Sequence, residues 1–150
     1  MRRVNGTHLL AVDPGGTTGL CLVGGIGGDL TWTTAEAGYY EAAAFVERTI
    51  RSLAGDLTVA VERFTIGRRT IELGRDHSAM ELTGIVRWES HKAGLPEPLF
   101  ALPSEAKPLV TNDRLRAAGV WHRGGGGHAN DAARHAVYWL VTDGLLRLPG

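Results

Sequence analysis

Apolar and polar positions follow two rhythms along the 150-residue chain, and the switches between them mark its elements. "HLLAVD" (8–13) and "GLCLVGG" (19–25) are short, nearly unbroken apolar runs, the pattern of buried strands, and the segment Pro14-Gly15-Gly16-Thr17-Thr18 between them reads as a turn. "LTWTT" (30–34) follows the loop "GIGGD" as a third strand, which completes an antiparallel meander. From Tyr40 the period becomes helical, with Ala43, Val46, Ile50 and Leu53 on one face and Gly55 as the stop. In "LTVAVERF", Leu57, Val59 and Val61 alternate with smaller residues and the run closes on Glu62, giving a fourth strand parallel to the first through the helical crossover.

Residues 69–94 carry Ile71, Met80, Leu82, Ile85, Val86 and Trp88 among charged positions, the pattern of one long amphipathic helix. Its Gly74 and Gly84 cost about 1 kcal/mol each relative to Ala unless close packing compensates. "EPLFALP" is a short fifth strand, "SEAKPLV" and "NDRLRAAGV" are helical turns, the second capped by Asn112 or Thr111, and "HANDAARHAVYWLVTDG" is a final helix. The glycine run "RGGGG" (123–127) before it reads as the most flexible piece of the chain. The order predicts a single α/β domain over 1–150, with a mixed five-stranded sheet flanked by helices.

Composition changes this picture little. Lys plus Arg and Asp plus Glu both number 16, so net charge points to no polyanionic partner, and a 43% hydrophobic content suffices for one core. Only Lys92 and Lys107 are lysines; the other basic residues are Arg, the type suited to bidentate phosphate contact and also the type a coding bias would enrich. The single cysteine, Cys21, lies in an apolar run and reads as a small buried hydrophobe. No segment approaches the roughly 20 apolar residues that span a bilayer, and "MRRVNGTH" has no apolar run of signal-peptide type after it, so a cytoplasmic location is expected.

The chemistry lies in the acids. Asp13 and Glu62 each end a predicted strand, and parallel neighbouring strands bring both carboxylates to the sheet end where open α/β folds place ligands. His128 and Asp131 share one face of the first turn of the last helix. Acidic groups converging on one point repel unless a cation neutralises them, and hard oxygen donors favour Mg²⁺ or Mn²⁺. Two such ions about 3.5–4 Å apart activate a water and stabilise the leaving oxygen of a phosphodiester. Each residue also has an ordinary structural explanation: Asp13 in an Asp-Pro-Gly-Gly turn, Glu62 at an exposed strand end, Asp131 and His128 at a helix N-terminus. His135, one heptad after His128, reads as a packing or surface residue rather than a ligand.

"LLAVDPGGTTGLCLV", "TVAVERF" and "GHANDAARHAVYWL" together resemble the three acidic motifs of RuvC-type Holliday junction resolvases, of the RNase H-like superfamily. The resemblance spans most of the chain and implies an RNase H-like fold. It implies that Asp13, Glu62, His128 and Asp131 bind two Mg²⁺ ions, with Mn²⁺ able to substitute, and that branched DNA is cut to leave 5′-phosphates, by a homodimer. "LPSEAKPLV" resembles the family's Pro-x-x-x-Lys element, which makes Lys107 a phosphate-facing or catalytic lysine. A further lysine that the family often carries is replaced here by Arg114 and Arg116, and the compact segment 111–127 is more like short phage-type relatives. Arg63, Arg68, Arg69 and Arg75 form a candidate phosphate track beside Glu62, with Phe64 placed to stack on an unpaired base at a branch point or simply to end the core strand.

Two other functions fit parts of the pattern. "DPGGTTG" also resembles the phosphate loop of actin-like and sugar-kinase phosphotransferases, although those need a second domain to enclose a nucleotide. A noncatalytic DNA-binding relative would keep the fold, but has no need of mutually repelling acids. Preference among junctions, flaps, forks and hybrids is not encoded in spacing.

Overall fold

Alternate residues of the first strand face two different cores, which is why its sequence is apolar throughout. A computed structural model of the chain describes residues 2–63 and 77–149. Its strands are β1 (His8–Asp13), β2 (Thr17–Gly24), β3 (Thr31–Gly38), β4 (Leu57–Glu62) and β5 (Leu99–Ala101). The helices are α1 (Tyr39–Leu53), α2 (Ser78–Lys92), α3 (Pro103–Leu109), α4 (Asn112–Ala117) and α5 (His128–Thr142). Leu9 and Ala11 of β1 join Cys21, Val23 and Ala60 under Ala132, Ala133, Ala136 and Leu140 of α5. Leu10 and Val12 join Val59 and Val61 under Val46 and Ile50 of α1 and Leu82 and Val86 of α2.

The result is a three-layer sandwich around a mixed sheet of order β3-β2-β1-β4-β5. β1 pairs antiparallel with β2, β2 antiparallel with β3, β1 parallel with β4 and β4 parallel with β5. The carboxyl ends of β1 and β4 therefore lie side by side, at the edge reached by the first turn of α5.

Several boundaries differ from the sequence reading. β2 begins at Thr17 and β3 continues to Gly38, because Thr17–Leu20 and Ala35–Gly38 pair with each other; that stabilisation comes from the neighbouring strand and leaves no mark in either segment alone. The buried face of α1 is Ala42, Val46, Thr49 and Ile50, with Ala43 and Leu53 only half-buried beside it. α2 is described from Ser78, so the expected earlier turns and Gly74 lie outside the described residues, and among the described residues no atom outside its own helix lies within 4 Å of where a Cβ on Gly84 would be. Thr111, not Asn112, caps α4, its hydroxyl accepting from the Arg114 N–H at 3.3 Å. The glycine run, read as flexible, forms a turn with φ of +81°, +69° and +88° at Gly124, Gly125 and Gly127, a backbone that favours glycine. Cys21 is buried, and burial pushes its thiol up to about 12. Among the described residues no helix is long and apolar enough to cross a membrane.

Candidate functional site

Strand register decides which residues can meet at the sheet edge. Val12 pairs with Val61 in the parallel β1–β4 ladder, so Asp13 and Glu62 occupy the next row together. Both project to the α5 side of the sheet, two residues beyond Ala11 and Ala60, which pack against that helix. The row continues through Gly19, the antiparallel partner of Asp13. Gly19 has no side chain, and α5 uses the space: a Cβ there would lie 1.8 Å from the carbonyl oxygen of His128. Small residues on the helix, Ala129, Ala132, Ala133 and Ala136, all buried, permit the same close approach.

The descent of α5 onto this row brings His128 over the acids and Asp131 close enough for its charge to act on Asp13. His128 Nδ1 stands 3.7 Å from Asp13 Oδ2. Asp13 itself is buried, 9% exposed, and its carboxyl shares a hydrogen bond with that of Glu62. Burial first, then the bond to Glu62 and the negative charges of Glu62 and Asp131, raise its pKa from 3.8 to about 9, against a weaker opposing pull from Lys107. At Glu62 burial also acts upward, but hydrogen bonds from His135 and Asp13, with the positive fields of His135 and Lys107, outweigh it and hold this carboxyl below its ordinary value. The two carboxyls therefore titrate as a pair, with burial and mutual repulsion favouring a shared proton over two charges.

Two further residues complete the site: His135, expected to be a packing or surface residue, and Arg134, to which the sequence pattern assigns no role. His135 is buried, and its Nε2 lies 3.4 Å from Glu62 Oε2, so it is a partner of an acid rather than a surface or simple packing residue. Arg134 is buried as well; its guanidinium bonds Asp131, Asn112 and, at 2.8 Å, the Val110 carbonyl. The spacings carried a signal, since Arg134 and His135 follow Asp131 by three and four residues and so share its side of the helix.

Among the described residues, no group of three or more His, Cys, Asp or Glu side chains is arranged to hold a metal ion. The expected convergence of four ligands is met instead by acids that are satisfied within the protein, Asp13 with Glu62 and Asp131 with Arg134. The donor chemistry nevertheless fits a hard cation: Asp13, Glu62 and His128 meet at one sheet edge with the charge of Asp131 within reach, and the repulsion of Glu62 and Asp131, which adds to burial in raising Asp13, is what a divalent ion offsets.

The candidate DNA contacts are distributed unevenly. Lys107 is exposed on α3 and close enough for its charge to act on Asp13 and Glu62. It lines a cavity of about 640 Å³ together with Asp131, Arg134, Asn112, Trp121 and His122. Arg116 is half-exposed, with its guanidinium 4.1 Å from the Trp121 ring centroid. Arg114 donates to the Leu109 carbonyl at 2.7 Å and so braces the α3–α4 connection. Arg63 is exposed beside Glu62 and lies over Phe100 at 5.5 Å. Phe64, Arg68, Arg69 and Arg75 lie outside the described residues.

No family model matches the chain, and no curated protein matches it in sequence. Among solved structures it is similar to T. thermophilus RuvC in complex with Holliday junction substrate, with a TM-score of 0.65 over 95% of this chain and 99% of that one, at 16% identity. The chain therefore has a RuvC-like fold, the mixed five-stranded sheet flanked by helices of the RNase H-like class.

Proposed function

We propose that the protein is a metal-dependent endonuclease of branched DNA, with four-way junctions its foremost substrate. The observation that carries this reading is the meeting of Asp13 and Glu62 at the carboxyl ends of adjacent parallel strands, with His128 of α5 brought to 3.7 Å from Asp13. The RuvC-like fold supports it, since the similar structure is a complex with a Holliday junction.

Asp13, Glu62, His128 and Asp131 would hold two Mg²⁺ ions, or Mn²⁺ in their place. Such ions supply a water acidic enough to attack at neutral pH and charge stabilisation for the departing oxygen. The protein's own residues supply geometry. His135 orients Glu62, and Arg134 fixes Asp131 while satisfying the carbonyl of Val110. Lys107, exposed at the mouth of the cavity, faces the phosphate and offsets the charge that grows on it in the transition state. Arg63 and Arg116 extend the cationic surface along the flanking backbone. A homodimer suits the two-fold symmetry of a four-way junction, and α2, with Met80 46% and Trp88 59% exposed, offers apolar surface for it.

The test is incubation of the native protein and its Asp13→Asn variant with a mobile four-way junction, flaps and forks in the presence of Mg²⁺. Cleavage by the native protein and its loss in the variant are expected; a native protein that cuts none of these substrates, or a variant that cuts equally well, refutes the proposal.

A further inference from the structure

The row that carries the acids does not end at β2. Gly19 pairs with Asp13 on one side and with Glu36 of β3 on the other, so Asp13, Gly19 and Glu36 stand in one line on the face covered by α5. All three meet the same helical residue. Asp13 Oδ2 faces the His128 ring, Gly19 makes room for the His128 carbonyl, and the His128 N–H donates to Glu36 Oε1 at 3.0 Å. Glu36 also accepts from the Gly126 N–H, at 2.9 Å to Oε1 and 3.0 Å to Oε2. Gly125 permits this approach, because a Cβ there would lie 2.3 Å from Glu36 Oε2. Two residues earlier on the same face of β3, Thr34 Oγ1 is 2.9 Å from His122 Nδ1. The edge strand thus holds both ends of the connection into α5.

An ordinary N-cap side chain belongs to the residue just before its helix, and it stabilises that helix wherever the helix lies. Here the N-cap position is Gly127, which offers no side chain, and the carboxylate arrives from 92 positions away in sequence. A carboxylate at a helix N-terminus is favourable for the same electrostatic reasons. Delivered from the sheet, it also sets where the helix lies relative to Asp13. We infer that Glu36 is a positioning residue: it fixes the first turn of α5, and with it His128 and Asp131, over the sheet-borne acids. This role rests on the nuclease reading, whereas the latch itself does not.

The experiment compares the native protein with Glu36→Ala and Glu36→Gln by amide hydrogen exchange, Mn²⁺ binding and junction cleavage. In Glu36→Ala, exchange at Gly126 and His128 quickens while β1 and β4 keep their protection. Mn²⁺ affinity and kcat each fall by about 10–100-fold, the range typical for groups that orient metal ligands, with KM for the junction little changed. Glu36→Gln keeps an acceptor oxygen and recovers part of each loss. Unchanged exchange at Gly126 and His128 in Glu36→Ala overturns the latch. Faster exchange with unaltered Mn²⁺ affinity and kcat reduces Glu36 to a helix cap and overturns the positioning role. A native protein that neither cuts branched DNA nor binds Mn²⁺ overturns the nuclease reading and the positioning role together, and the exchange data then show separately whether the latch stands.

Discussion

Replacing Gly19 with Ala puts a methyl group where the first turn of α5 already lies. The new Cβ would be 1.8 Å from the His128 carbonyl oxygen and 2.9 Å from the Ala129 nitrogen, whereas ordinary contact begins at 3.4 Å. Both neighbours are backbone, so no rotamer change relieves the clash, and strand and helix must separate by about 1.6 Å. Overpacking of this kind costs about 1–3 kcal/mol, and a clash against main chain belongs at the upper end. For a chain of this length that lowers Tm by roughly 6–12 °C. On the nuclease reading, the helix that retreats carries two proposed metal ligands, His128 and Asp131, and a displacement near 1 Å at a reacting centre costs on the order of 100-fold in rate. Thermal melting and single-turnover junction cleavage measure the two effects on one preparation. A Gly19→Ala protein that melts within about 1 °C of the native one, at full cleavage rate, contradicts both the seating of α5 and its part in the site.

The pH dependence has a definite sign. Asp13 holds its proton up to about 9 in the folded state but only to about 3.8 when unfolded, so its contribution to stability is greatest below the lower value and declines as pH rises through that interval. Asp13→Asn should flatten this decline in melting curves taken from about pH 5 to about pH 9, and millimolar Mg²⁺ or Mn²⁺ should raise Tm more at the alkaline end; equal slopes for native and variant would falsify the assignment. Arg134→Met strips the bonds to Asp131, Asn112 and Val110 and should cost about 1.5–3 kcal/mol in chemical denaturation, a buried charge-assisted network being worth that much; a loss under about 0.5 kcal/mol argues against the network. Gly84→Ala, on the exposed side of α2 with no described atom outside its own helix near the new Cβ, should gain up to about 1 kcal/mol in the same assay, and a loss there means that α2 is packed at that point.

The parts of the molecule that could be read from the chain are those whose cause is local. β1 and β4 announce themselves by apolar runs ending on Asp13 and Glu62, and α5 by a run of alanines and large apolar residues in helical phase. The extension of β3 to Gly38 could not be read this way, because its cause is the pairing with Thr17–Leu20. His135 looked like an unremarkable helical histidine because its partner, Glu62, is far away in sequence and close only after the sheet has formed. Glu36 left no trace for the same reason: nothing near it says that its carboxylate will reach Gly126 and His128. The glycine run is legible as a loop, but the left-handed backbone at Gly124, Gly125 and Gly127 is not, since composition cannot specify which turn a glycine-rich segment adopts.

Placing α5 after the sheet in the chain also orders events during synthesis. The ribosome makes Asp13 and Glu62 well before His128 and Asp131, so a nascent or truncated polypeptide that stops short of α5 has only the strand-borne half of the centre. The apolar surface of Leu9, Ala11, Cys21 and Val23 that α5 covers is then bare, which marks such a fragment for chaperones and proteases. On the nuclease reading, such a fragment lacks two of the four proposed metal ligands, His128 and Asp131, so catalytic competence arises only when α5 has docked.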